Sequence, residues 1–217
     1  MSIDEGTSLR GGRALSPAGI AEQDRYLLAR YRDFRRAADA IVTAWQTHPE
    51  VAAVALIGSV ARAPWKEVPR FAPYRRARIA LWHECKDVDL ALMLTDLQGL
   101  DRLRRAKDRA LRALYEAGGP GVASHQVDIF VLEPGTERYL GRLCDFNACP
   151  KGKRECLVAG CGATPFLRQH EDFCWRADAL AADRAVWLFE RATGRVHRAI
   201  DLPLPTQEEG GGMDGAR

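Results

Sequence analysis

No apolar run in these 217 residues is long enough to cross a bilayer. The opening residues, "MSIDEGTSLRGGRALSPAG", have no apolar core of the kind a secretory signal needs. Both absences lead us to expect a cytoplasmic protein with no membrane partner. No internal repeat is visible, which excludes solenoid and propeller architectures. Neither sign of charge is in large excess: 32 Lys and Arg stand against 29 Asp and Glu, a net charge of +3. Anionic partners are therefore permitted, but nucleic acid is not demanded. In a reducing compartment the six cysteines are thiols or metal ligands rather than disulfides.

The residues that are present read as one domain with a proper core. Residues 1–15 are polar and Gly-rich, a flexible leader. Ser16-Pro17 suits a helix start, with Ser as the cap and Pro at the first helical position. Leu27, Leu28, Tyr31, Phe34, Ala38, Ile41, Val42 and Trp45 then form one stripe at helical spacing, and Pro49 ends the run. Val51–Ile57 is β-branched and bounded by Pro49 and Gly58, a buried strand. Asp87–Leu94 is a second strand. Leu97–Gly119 is an amphipathic helix closed by two glycines, and Ser124–Gly135 contains a third strand. Residues 16–138 thus form a core, with a basic insertion at 63–86. Residues 139–176 are Cys-rich and aperiodic. Residues 177–202 read as a C-terminal helix packing on the core, and 203–217 as a disordered tail. The fold class is α/β (α+β): a mixed sheet flanked by helices, with a small Cys-rich, zinc-binding segment.

Asp87 and Asp89 are two apart, so both leave the same face of their strand, about 6–7 Å apart at Cα, while Val88, Leu90, Leu92 and Leu94 take the other. Like charges this close raise each other's pKa unless a cation lies between them, and hard oxygen donors suit Mg²⁺. Asp128 interrupts the apolar strand "QVDIFVL", which is costly unless it is paired or metal-bound. Taken singly, each piece has a plain alternative. Gly58-Ser59 serves as a turn, the Asp pair as a solvated strand edge, and Asp128 as a partner for an arginine such as Arg138.

Together, "LIGSVAR", "DVDLAL" and "QVDIFV" resemble the DNA polymerase β-like nucleotidyltransferase superfamily over roughly residues 50–133. The resemblance implies a nucleotidyltransferase-type sheet and transfer of a nucleoside monophosphate from an NTP to a hydroxyl or phosphate acceptor, with release of pyrophosphate. It implies that Gly58, Ser59 and Arg62 bind the nucleotide. Asp87, Asp89 and Asp128 would hold Mg²⁺ or Mn²⁺, with Asp128 also acting as or aligning the base. The acceptor is then a protein side chain, a small molecule or an RNA end. A helical protein partner or RNA fits the same picture. The chain departs from compact members in one respect. Ser59 and Asp87 lie 28 positions apart, because of the segment "APWKEVPRFAPYRRARIALWHECK". Its basic residues interleave with Trp65, Phe71, Tyr74 and Trp82, either to hold phosphates and a base or as a solvated face over a packed hairpin or helix.

Cys144, Cys149, Cys156 and Cys161 are spaced C-x4-C-x6-C-x4-C. Two pairs with short gaps suit a structural tetrahedral Zn²⁺. An Fe–S cluster or unligated thiols are the alternatives, and His83 and His170 are substitute ligands. Cys85 and Cys174 read as simple buried residues. His170-Glu171-Asp172 reads as a helix cap or solvated triplet rather than a second metal site. The competing view of the whole chain is a catalytically silent nucleotidyltransferase-fold module that binds nucleic acid or a partner protein through the basic insertion and the zinc segment.

Overall fold

The structure, a computed structural model, describes residues 15–205. The expected leader up to Ala14 and the tail from Thr206 lie outside the described residues. The chain divides into two compact units.

The larger unit holds residues 31–63 and 85–203. Helix α1 (Pro17–Trp45) enters it at Tyr31. Its start is capped as its sequence dictates, with Ser16 Oγ accepting the Gly19 N–H at 3.1 Å. Tyr31, Phe34, Ala38, Ile41, Val42 and Trp45 are fully buried along one stripe. The chain continues through β1 (Val51–Ile57), the single turn α2 (Gly58–Ala61) and, after the smaller unit's segment, β4 (Val88–Leu94). Helix α4 (Leu100–Glu116) crosses over to β5 (Val127–Leu132), followed by β6 (Tyr139–Leu143), β7 (Leu167–Arg168), β8 (Val186–Glu190) and β9 (Gly194–Arg195).

These strands form one mixed, mostly antiparallel sheet of seven strands in the order β7-β6-β5-β4-β1-β8-β9. Its one parallel pair is β4 with β5, the pair joined by the α4 crossover. Both faces are covered. On one face Val54, Leu56, Val88, Leu90, Leu92, Ile129 and Val131 are at most 1 % exposed, which requires a second apolar layer, and the buried stripes of α1 and α4 supply it. The Trp45 indole N–H ties the two helices together by donating to the Leu103 carbonyl at 2.9 Å. On the other face Ala55, Ile57, Ala91, Met93, Phe130 and Leu132 pack under Leu180, Ala185, Phe173 and Trp175.

The C-terminal helix expected over 177–202 does not form. Ala177–Leu180 is a short 3-10 turn, and Val186–Glu190 is β8, paired antiparallel with β1. With apolar residues on both faces of the strand, the run "AVWLF" has no period of two to separate it from a helix. The supposedly aperiodic segment 139–176 contributes β6 and β7 to the sheet edge.

The smaller unit comprises the described residues 15–30, 64–84 and 204–205. It contains the hairpin of β2 (Lys66–Glu67) and β3 (Leu81–Trp82), with α3 (Ala72–Ala77) between them. Leu27, Tyr74 and Leu81 are its core. The insertion is therefore a packed hairpin-and-helix. Trp65 stacks on His83 at 4.0 Å, Lys66 bonds Asp24 at 3.1 Å, and Arg70, Arg75, Arg76 and Arg78 are exposed.

Candidate active site

The antiparallel register of β1 and β4 places Ile57 opposite Asp89, and the parallel register of β4 and β5 places Asp89 opposite Asp128. Neighbouring strands lie about 4.8 Å apart, so the three expected carboxylates come together: Asp89 and Asp128 side by side, with Asp87 just before β4. Gly58 closes the site from the β1 side. Its φ is +72°, and a Cβ built on it would overlap Asp89 Oδ2. Only glycine lets the chain turn this tightly and press its backbone onto that carboxylate.

The electrostatics follow from this crowding. Burial, then the charges of Asp87 and Asp128, push the Asp89 carboxyl up to about 7. Burial and Asp128 raise Asp87 as well. Asp128 has a partner that the sequence pattern did not indicate: Arg142 Nη1 on β6 donates to its Oδ2 at 3.0 Å. Arg138, the partner considered from sequence, binds Glu133 instead, at 3.1 Å. The Arg142 guanidinium lies against two stacked rings, 4.5 Å from the Phe130 centroid and 5.0 Å from that of Phe173.

A cavity of about 240 Å³ opens beside Gly58, Arg62 and Asp89. Phe173, Trp175, Arg176 and Arg184 form other parts of its wall. Arg176 and Arg184 share the Asp178 carboxylate, at 3.1 and 2.7 Å. The expected nucleotide residues Gly58 and Arg62 therefore line one cavity with Asp89. The Ser59 hydroxyl hydrogen-bonds the Cys85 thiol, whose pKa burial raises.

The turn that carries Gly58, Ser59 and Arg62 is anchored by Arg35. This side chain is fully buried, and its guanidinium donates to the carbonyls of Val60 at 3.2 Å, Arg62 at 3.1 Å, Leu202 at 2.8 Å and Pro203 at 3.2 Å. No sequence motif marked Arg35. The only hint was a basic residue on the apolar face of α1, next to Phe34.

The cysteines are distributed unevenly. Cys144 is buried at the end of β6 and receives the Phe146 N–H. Cys156 receives backbone N–H groups of Lys151, Gly152 and Lys153, which hold its thiol below the ordinary range. Cys85 is buried as expected, whereas Cys174 is exposed on the rim of the 240 Å³ cavity. Among the described residues, no three His, Cys, Asp or Glu side chains stand in an arrangement that holds a metal ion. At the carboxylates, Asp128 is engaged by Arg142 instead. Yet the donor chemistry fits a hard divalent cation, because three neighbouring carboxylates have a single arginine to offset them.

Compared with models of protein families, with curated proteins and with solved structures, the chain matches none.

Proposed function

We propose that this chain is a metal-dependent nucleotidyltransferase. The observation that carries the reading is the convergence of Asp87, Asp89 and Asp128 beside the positive-φ Gly58. A structural role explains that arrangement poorly. Pushing three carboxylates together costs stability, and a strand core gains nothing from it. Asp87, Asp89 and Asp128 are the residues that would hold Mg²⁺ or Mn²⁺, which would supply charge neutralisation of the triphosphate. The Gly58 backbone lets the nucleotide approach without a side chain in its path. Arg62 offers positive charge at the same cavity, and Phe173 and Trp175 offer ring faces for the base. Asp128 accepts the proton of the attacking hydroxyl, and Arg142 holds its carboxylate in place.

The test is pyrophosphate release from each of the four NTPs with Mg²⁺ or Mn²⁺ and a pool of acceptors, run beside the Asp87→Ala/Asp89→Ala variant. The reading expects turnover that the variant loses while remaining folded. Turnover unaffected by the double substitution sinks it. Salt-sensitive nucleic-acid binding without any turnover favours the silent binding module.

A further inference from the structure

A second cleft, about 650 Å³ in volume, shares Phe173 with the first and reaches the carboxylates through Arg142, which bonds Asp128. Arg142, Arg154, Arg168, His170 and Phe173 line it. Arg142 and Arg168 are direct partners in the antiparallel register of β6 and β7. Two like charges placed opposite one another on adjacent strands repel. Each of these arginines also has a buried Nε with no hydrogen-bond partner, and so does Nε2 of His170. His170 follows Arg168 by two positions, so an extended chain directs both to the same side. Glu155, Glu171 and Asp172 also line the cleft, but all three are exposed, whereas Arg142, Arg168 and His170 are half-buried. The unmet donors at the half-buried wall are thus mainly cationic. Such a wall suits an oxyanion with several acceptor oxygens.

We infer that this cleft is the acceptor site and that the acceptor is a small molecule bearing a phosphate monoester. The acceptor role rests on the nucleotidyl-transfer reading; anion binding by the cleft does not. The phosphate is the handle rather than the reacting group. Its oxygens pair with the charges of Arg168 and Arg154, beside the imidazole of His170. Arg142 reaches from this wall to Asp128, so a hydroxyl of the same molecule lies toward the carboxylates. That hydroxyl oxygen forms the bond to the α-phosphorus of the NTP and its proton passes to Asp128. The bond from the α-phosphorus to the bridging oxygen breaks, and pyrophosphate leaves.

The test is calorimetric titration of the full chain with ribose 5-phosphate, ribose and a 5′-phosphorylated trinucleotide, alongside α,β-methylene ATP with Mg²⁺. Ribose 5-phosphate should bind and ribose should not. The exposed Arg154→Ala and the buried-wall Arg168→Ala should each weaken ribose 5-phosphate by roughly tenfold or more. Arg168→Lys should recover part of that loss, and neither alanine variant should alter binding of the ATP analogue. Equal binding of ribose and ribose 5-phosphate, or unchanged affinity in both alanine variants, overturns the inference. So does binding of the trinucleotide alone, which would assign the cleft to a nucleic-acid end. If the ATP analogue binds and ribose 5-phosphate does not, the acceptor inference fails and the nucleotidyl-transfer reading stands. If ribose 5-phosphate binds and no NTP does, the enzyme reading and the acceptor role fail together, and only an anion-binding cleft remains.

Discussion

Asp128 Oδ2 and Arg142 Nη1 meet at 3.0 Å, joining the carboxylate cluster on β4 and β5 to the neighbouring strand β6. The guanidinium is the one cation bonded to that cluster among the described residues, and the Phe130 and Phe173 rings fix its plane. Arg142→Gln should lower stability by about 1 kcal/mol or more in the metal-free protein, because Asp128 is then left beside two like charges. Arg142→Lys should recover only part of this, since a lysine keeps the charge but not the flat contact with both rings. Urea unfolding in the presence of chelator measures both variants. An unchanged midpoint in the glutamine variant would show that the pair contributes nothing.

Gly58→Ala tests the close approach directly. An alanine there must accept a positive φ and a Cβ overlapping Asp89 Oδ2. The backbone term alone costs about 1–2 kcal/mol, and relief requires Asp89 to move. We expect a folded, modestly destabilised protein whose nucleotidyl transfer falls at least about tenfold. Full activity in that variant would mean that the nucleotide does not rely on this backbone.

Asp89 makes stability depend on pH with a definite sign. Its carboxyl is lifted to about 7 in the folded protein from an ordinary value of 3.8. Between those values the folded state keeps a proton that the unfolded chain has released, so stability falls as pH rises from about 4 through about 7. Asp87, also raised, acts in the same direction, and His170, held low by burial and by Arg142 and Arg168, acts against it. The clean measurement is therefore a difference. In chelator, Asp89→Asn should gain stability relative to the parent as pH rises from 5 to 8, and added Mg²⁺ should narrow that gap. Parallel stability curves for the two proteins would contradict the raised carboxyl.

Much of this site could be read from the chain alone, and the reason is periodicity. The alternation of Asp89 with Val88 and Leu90 fixed which face each would take, and the apolar run before Gly58 fixed where the first strand would stop. The order of three short motifs then brings Asp87, Asp89 and Asp128 together, and the β4–β5 register places Asp89 opposite Asp128. Arg35, Arg142, Arg168 and Trp175 were not legible, because their roles come from registers between strands far apart in sequence. Arg142 matters because it lies opposite both Phe130 and Arg168. Nothing local distinguishes it from Arg138, four positions closer to Asp128 and five from the carboxylate that does bind it, Glu133. The misread helix at 177–202 has the same origin. Val186–Phe189 has apolar residues on both faces, and a run with no polar face loses the signal that separates strand from helix.

The four clustered cysteines should differ in reactivity. Cys156 is half-exposed and cradled by three backbone N–H groups, whereas Cys144 is buried and its thiol is pushed up. In reduced, metal-free protein near neutral pH, iodoacetamide should modify Cys156 first and Cys144 last, as peptide mass mapping would report. One equivalent of zinc added beforehand should protect Cys149, Cys156 and Cys161 if the loop closes on a metal as their spacing suggests. Labelling that is indifferent to zinc would leave these residues as ordinary thiols.

Arg35 is the position at which fold and site meet most closely. Its guanidinium satisfies four backbone carbonyls, two in the turn that follows Gly58 and two near the end of the larger unit. Arg35→Met fits the volume but leaves those carbonyls without a donor, each costing about 1–3 kcal/mol where water cannot reach. Arg35→Lys keeps the charge on a single nitrogen that cannot span both pairs. Arg35 touches no reacting atom in the proposed chemistry, so it is a positioning residue, and a kinetic split can tell that from a purely structural one. If it only supports the fold, the lysine variant, assayed well below its melting temperature, should show parental KM and kcat. If it positions the Gly58–Arg62 turn, KM for the NTP should rise roughly tenfold while the folded fraction stays near one. We expect the second outcome, because two of its four bonds go to the turn that brings Gly58 and Arg62 to the carboxylates.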